Sequence, residues 1–416
     1  MSGQATSTSK KSYVKRGLVS LALALIGICV SLLMLELAAR FLSTPYDQNT
    51  GPIFMCDNRL GWIGRPNFQG NLETSVFQRE LRFNSLGMHD TEHPADKPAD
   101  TFRIMMLGDS YVHAVQVDEA NTAHQILENY LNEQGKTEQQ HFEVVSSGVV
   151  NWGTNQQLIY YREQGRFFEP DLVILMFFFG NDLMDNLPGN ALTIDGINCY
   201  APYFALCDGN LSPEPLTYAP GISRMQDNCS TVRRLLINTM GRLYQHSRLY
   251  QQLEPLIIAN LPRQQFGNNF VVPYSALYVP AVEAEQEQAW QITQATITRL
   301  QQEVTADGAQ FAVALISPEI IVRLALLSPA ELGIFLRDNP KFVEAQIDRP
   351  NQRMAEFLSR QDIPFIDLTT PMINHQAANG TPLYLHGDYH WTVEGNHVVG
   401  ETLAEWLADN FLFKAR

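Results

Sequence analysis

The sequence has no Cys-x-x-C pair, no internal repeat, little positive charge and only one long hydrophobic run. Each shortage narrows what the chain does. Without closely spaced cysteine pairs, a zinc ribbon is disfavoured. With 29 Lys and Arg against 44 Asp and Glu, the formal net charge is −15, the opposite of the basic footprint that nucleic acids require. No nucleic-acid partner is therefore expected. What remains is ordinary globular composition, 45% hydrophobic and 18% charged, with ample apolar material for a core. A length of 416 residues fits either several domains or one large domain with insertions.

The single long apolar run covers residues 17–35, GLVSLALALIGICVSLLML. At about 1.5 Å per residue it spans roughly 28 Å, close to the ~30 Å hydrocarbon core of a bilayer. Lys10, Lys11, Lys15 and Arg16 precede it. The expectation is a cytoplasmic tail over 1–16, a transmembrane helix over 17–37, and an extracytoplasmic remainder. A cleaved signal peptide is the alternative, since it too has a basic start.

Of five cysteines, Cys29 lies in this run, and Cys56, Cys199, Cys207 and Cys229 lie outside it. Four cysteines in an exported domain allow three pairings, or four free thiols. The Cys199–Cys207 pair brackets the shortest loop and is favoured, which leaves Cys56 with Cys229.

Residues 38–100 are rich in Pro, Gly, Asn and Asp and read as a membrane-proximal linker. A short strand is expected at 76–83, then a turn at Asn84-Ser85-Leu86-Gly87. From residue 101 to 416 the pattern is that of one α/β domain. Strands are expected at 102–107, 142–145, 171–179, 310–316 and 364–368. Helices are expected at 119–134, 282–303, 342–360 and 393–411, with another around Leu158, Tyr161 and Phe168. The alternation implies a parallel sheet with crossover helices. It is interrupted by an insertion at about 183–280, with one helical stretch near 232–253.

Four short constellations carry chemistry. Gly108-Asp109-Ser110 ends the first strand, where a serine meets the amides of a helix start; the plain alternative is an N-capping loop. Ser146-Ser147-Gly148-Val149-Val150-Asn151-Trp152-Gly153 follows the second strand, and a backbone amide there is a candidate oxyanion donor. Gly180-Asn181-Asp182 follows the most apolar strand, with the Asn181 amide as a second donor. Asp388-Tyr389-His390-Trp391 precedes the last helix. It offers a general base and a carboxylate to orient it, on one side of an extended segment. His386, Asp388 and His390, with His397 nearby, also form a weak metal pattern. His113, His124 and the run Phe177–Phe179 read as structural. Trp152 and Trp391 read as core in preference to a sugar platform.

Together these residues resemble the GDSL/SGNH hydrolase superfamily, through GDS at 108–110, GND at 180–182 and D-x-H at 388–390. The resemblance implies a flavodoxin-like three-layer α/β/α sandwich with about five parallel strands, esterase activity, and no metal or other cofactor. It implies Ser110 as nucleophile, His390 as base and Asp388 as its orienting acid. Asn181 is the implied oxyanion donor, with the backbone amide of Asn151, for which Gly148 and Gly153 are competitors. The second block departs from the family pattern: Ser146 stands where an asparagine is usual, and Asn151 where a glycine is. The D-x-H-W form resembles the alginate O-acetyltransferase branch. The expectation is a serine esterase removing acetyl groups from an extracytoplasmic glycan. O-acyl transfer to a secreted polysaccharide and non-catalytic glycan binding are the alternatives. The substrate partner is an acylated glycan or a small ester, and the oligomeric state stays open.

Overall fold

Leu172–Phe178, the most apolar strand, is buried at every residue. It can be so because helices cover both faces of its sheet. In the computed structural model, which describes residues 7–42, 53–134, 141–220, 229–259, 284–343 and 347–412, five strands form this sheet. They are β1 (Thr101–Gly108), β2 (His141–Gly148), β3 (Leu172–Phe178), β4 (Gln310–Ile316) and β5 (Phe365–Asp367). Their order is β5-β4-β3-β1-β2 and every pairing is parallel. That is the flavodoxin-like order 2-1-3-4-5, whose direction reverses between β1 and β3.

The principal helices are α1 (Ser7–Leu42), α2 (Ser110–His113), α3 (Ala123–Gln134), α4 (Thr154–Glu163), α5 (Thr231–His246), α6 (Arg248–Ala259), α7 (Ala284–Ala306), α8 (Arg349–Arg360) and α9 (Val393–Leu407). Strand residues alternate between two cores. Met105, Leu107, Val173 and Leu175 face α4, α7 and α8 through Leu158, Ile297 and Met354. Ile104, Met106, Ile174 and Met176 face α3 and α9 through Leu127, Val399 and Leu403. Each such large apolar side chain contributes about 1.5–3 kcal/mol on burial. The three-layer expectation is met.

Several local expectations shift. The helix expected from residue 119 begins as a 3₁₀ turn, Glu119–Asn121, and breaks at Thr122 before α3. The stretch near 232–253 is two helices, α5 and α6, parted at Ser247. The helix expected at 342–360 starts only at Arg349, with Pro350 in its first turn. The start of the helix expected at 282–303 lies outside the described residues, as does 260–280 of the insertion.

Residues 53–100 are not a linker. Trp62, Leu81, Phe83, Met88, His89 and Asp90 are all buried. The Trp62 indole donates to the Val150 carbonyl (2.7 Å), and the Trp152 indole donates to that of Trp62 (3.0 Å). Asp90 accepts the Ser146 amide on β2 (2.8 Å). The strand expected at 76–83 is the second arm of a hairpin, Gln69–Glu73 with Gln78–Arg82. Polar composition concealed the few large apolar residues that seat this segment on the domain.

The disulfides also differ from expectation: Cys56 pairs with Cys199 and Cys207 with Cys229. Cys199 lies on a hairpin strand, Ile197–Tyr200, and Cys207 on the separate two-residue strand Leu206–Cys207. The hairpin packs on the Phe54–Asp57 and Gly61–Gly64 ribbon, which brings Cys56 to Cys199 at a Cα separation of 5.4 Å. Loop length, used alone, ignored these rigid hairpins.

Within α1, Leu18–Phe41 is long and apolar enough to cross a membrane, with a mean hydropathy of 2.8 and none of its most apolar window buried.

Candidate active site

Two glycines make the turn at Ser110 possible. Gly108 and Gly148 are register partners at the ends of β1 and β2. A Cβ on Gly108 would meet Val112 Cγ2 at 2.3 Å, and one on Gly148 would meet Val112 Cβ at 2.5 Å. Their bareness lets the single-turn α2 sit directly on the strand ends. Asp109 caps it, its Oδ1 accepting the Tyr111 amide at 2.9 Å. Ser110 is thereby the first helical residue, half-buried at the carboxyl edge of the sheet.

The other half of the site comes from a turn before α9. Asp388 and His390 do not lie on an extended segment, as expected. Tyr389 between them has φ 71°, and the amides of Asp388 and Tyr389 both point back to the Leu385 carbonyl. This left-handed residue curls the chain so that His390 Nδ1 and Asp388 Oδ1 meet at 2.7 Å. On the far side of the ring, His390 Nε2 lies 2.8 Å from Ser110 Oγ. The Tyr111 hydroxyl donates to the Tyr389 carbonyl at 2.9 Å, and its ring lies against His390 and Trp391. Trp391 and Trp152 are both buried and belong to the core. The hydrogen bond from His390 holds the Asp388 carboxyl below its usual range.

Asn181 follows β3. One hydrogen of its amide goes to Asp185 Oδ2 at 2.6 Å, and the amide also reaches Asp109, next to Ser110. Asn151 sits at φ 61°, left-handed as the sequence allowed, with its carbonyl accepting from Asn190. Among the described residues its side chain makes no hydrogen bond to the Ser110–His390–Asp388 chain. Gly148 is held at the site by packing. Both ring nitrogens of His390 are engaged, and among the described residues no group of three His, Cys, Asp or Glu side chains forms a metal cage. His113 is buried with neither ring nitrogen paired, and burial pushes its pKa well below the usual value.

Sequence reasoning missed Asp185 and the carboxylate group around it. Asp109, next to Ser110, and Asp182 and Asp185 lie close enough to act on one another, and burial raises the pKa of all three carboxyls. For Asp185, burial pushes the carboxyl up to about 8 against the lowering effect of Asn181. The signal was the spacing: Asn181 and Asp185 are four apart, one helical turn. Between pH about 4, where an unfolded aspartate titrates, and about 8, the folded state holds a proton that the unfolded state lacks. Stability is therefore expected to fall as pH rises through this window. Asp185→Asn keeps an acceptor for Asn181 but removes the titration. Its melting temperature should exceed that of the parent at pH 8 by more than at pH 5. An equal offset at both values would rule out the buried charge at residue 185.

A cleft lined by Glu319, Arg323, Gln376, Tyr384, His386 and Tyr389 borders the turn that carries His390.

Residues 278–415 match the family model described as the SGNH hydrolase-like domain of the acetyltransferase AlgX. The SGNH resemblance, in its AlgX-like branch, is thereby supported. The matched stretch contains Asp388 and His390, and Ser110 and Asn181 lie before it. Comparison with curated proteins gave no match. Among solved structures the chain is similar to an acetyl xylan esterase (10% identity, TM-score 0.36, 74% of this chain and 99% of that one). It is similar to a lipase/acylhydrolase from Enterococcus faecalis (11%, 0.36, 76% and 100%). It is also similar to a two-domain esterase active on acetylated mannans (10%, 0.34, 74% and 49%).

Proposed function

We propose that this chain, SGNH hydrolase-like in fold and across residues 278–415, is a serine esterase that removes acyl groups, acetyl first, from an extracytoplasmic glycan. The reading rests on one observation, the hydrogen-bonded series Ser110 Oγ, His390 Nε2, His390 Nδ1, Asp388 Oδ1 at the carboxyl edge of the sheet. Ser110 Oγ attacks the ester carbonyl and its proton passes to His390 Nε2. Asp388 stabilises the imidazolium and fixes its tautomer. A backbone amide of Gly148 or Asn151 is the candidate donor to the developing oxyanion, and Asn181 joins it by giving up one of the amide hydrogens it directs to Asp185 and Asp109. The sugar hydroxyl then leaves with the His390 proton. Water, deprotonated by His390, opens the acyl-enzyme.

A second reading is transfer of the acyl group to a glycan hydroxyl. It is favoured by the match to a family described as an acetyltransferase. The bordering cleft, polar and aromatic through Glu319, Arg323, Gln376 and Tyr389, suits a hydroxyl-rich acceptor. An acyl-enzyme partitions between water and such an acceptor.

The anchor reading belongs to the same proposal: residues 1–16 inside, the span over 17–37, and the rest outside. The basic residues before the span support it, as do two disulfides in the domain that follows, since such bonds persist in oxidising compartments. The division into this anchor and one hydrolase-like domain carrying an insertion at about 183–280 is proposed with it.

The test is to incubate the full-length protein with a small acetyl ester, with and without acceptor oligosaccharide. Release of free acetate, changed only modestly by the acceptor, is expected for the esterase. Acyl label accumulating on the oligosaccharide with little free acetate replaces it with the transferase. No acyl release in either arm removes both.

A further inference from the structure

Helix α5 buries one face and presents another. Ile237, Gly241 and Tyr244 point inward, and Gly241 approaches so closely that a Cβ would lie 2.6 Å from the Thr217 carbonyl. The opposite face carries Val232, Leu235, Leu236 and Leu243, exposed by 79, 69, 51 and 52%. Their spacing of i, i+3, i+4 and i+11 makes a single apolar stripe. Arg242 is exposed on the same helix, Arg233 and Arg234 are half-buried, and the stretch from Thr231 to Arg248 contains no acidic residue, in a chain whose net charge is −15.

The carboxyl end of α5 is tied to the apolar α1. Glu36 of α1 accepts the backbone amides of Arg248 and Leu249, both at 3.1 Å, and the Ser247 hydroxyl at 2.8 Å. It thus caps the start of α6. Arg40 donates to the His246 carbonyl at 2.6 Å. Glu36 and Arg40 both lie within the candidate span Leu18–Phe41. The elbow between α5 and α6 therefore sits at the level where α1 leaves the apolar layer.

We infer that the Val232–Leu236–Leu243 face of α5 lies in the headgroup–acyl boundary of a lipid bilayer, so that the domain rests on the membrane as well as being tethered to it. The inference rests on α1 being the membrane anchor proposed above. Three features commit the face to lipid: an apolar stripe, an exposed Arg242 with no acidic residue along the helix to repel anionic headgroups, and a hydrogen-bonded joint to the anchoring helix. Helices of this composition bury their apolar side about 5–10 Å into the boundary.

Tryptophan placed in the stripe reads this directly. Full-length Leu235→Trp, Ile334→Trp and Leu25→Trp proteins are reconstituted into vesicles of phosphatidylcholine and phosphatidylglycerol, with or without dibrominated acyl chains. Emission is compared with that of the parent protein. Ile334, exposed by 54% on Pro329–Asp338, is the aqueous control, and Leu25 reports the anchor alone. The added emission of Leu235→Trp should fall by about half or more in brominated vesicles and resist aqueous acrylamide, as expected for a boundary helix. That of Ile334→Trp should do the reverse. Leu25→Trp quenched by bromine while Leu235→Trp is quenched only by acrylamide would overturn the inference and leave the anchor standing. Leu235→Trp insensitive to both quenchers would overturn it in favour of a covering protein surface. Leu25→Trp untouched by bromine would remove the anchor and this inference with it.

Discussion

A Ser110→Ala protein is expected to fold like the parent and to lose roughly 10⁴–10⁶-fold in turnover of an acetyl ester, the range seen when a triad member is removed. The variant deletes one oxygen. Ser110 Oγ has His390 Nε2 at 2.8 Å and Asp109 Oδ2 at the outer limit of a hydrogen bond, 3.5 Å. The freed imidazole is 30% exposed, so water replaces the lost partner and the melting temperature stays close to that of the parent. His390→Ala should fall as far, because His390 is the group that links Asp388 Oδ1 at 2.7 Å to Ser110 Oγ at 2.8 Å. The double variant should fall no further than either single one, since the residues act as a unit. Ester hydrolysis is measured beside thermal melting for all three. A folded single variant retaining full activity would end the assignment of Ser110 or His390. A double variant losing the product of the two single effects would show that they act separately.

The second large effect is on stability. Replacing both Cys56 and Cys199 by alanine opens a cross-link across 143 residues. On the chain-entropy account such a loop contributes about 5 kcal/mol, at the upper end of what native disulfides supply. That rivals the whole net stability of many domains, about 5–15 kcal/mol. The Cys207–Cys229 bond closes only 22 residues and contributes roughly 3 kcal/mol on the same account. Opening the first should lower the urea midpoint more than opening the second. It should also loosen the 53–100 segment, read as faster proteolysis there. Equal midpoints for the parent and the Cys56/Cys199 variant would show that the Trp62, Trp152 and Asp90 contacts suffice without the bond.

The sheet was legible because its signal is local. An unbroken apolar run such as Leu172–Phe178 suits a strand covered on both faces, and Gln310–Ile316 ended where its apolar residues ended. Three of the four constellations follow strand ends, which place residues at one sheet edge whatever the helices do, and the fourth precedes the last helix. Other features depended on tertiary contacts that no periodicity reports. The 53–100 segment is seated by a handful of residues, Trp62 and Asp90 among them, in polar surroundings. The disulfides follow hairpins whose packing overrides loop length. The Asp388–His390 pairing was foreseen for the wrong backbone, because a left-handed tyrosine at 389 is uncommon outside Asn, Asp and Gly. Asp185 went unnoticed because an aspartate in a turn-rich stretch looks like any other, and only its hydrogen bond from Asn181 distinguishes it.

Ser110 and His390, in contact at the site, stand 280 residues apart in the chain. Gly108, Asp109 and Val112 can shape the serine turn once β1 and β2 have paired, early in synthesis. Asp388 and His390 arrive together, on one curled turn, only when almost the whole polypeptide has been made. A nascent or truncated chain therefore carries a serine with no partner to deprotonate it. On the proposed function, the Ser110–His390–Asp388 series is assembled only when the molecule is complete, and a chain that stops before residue 388 is expected to release no acetate from an acetyl ester.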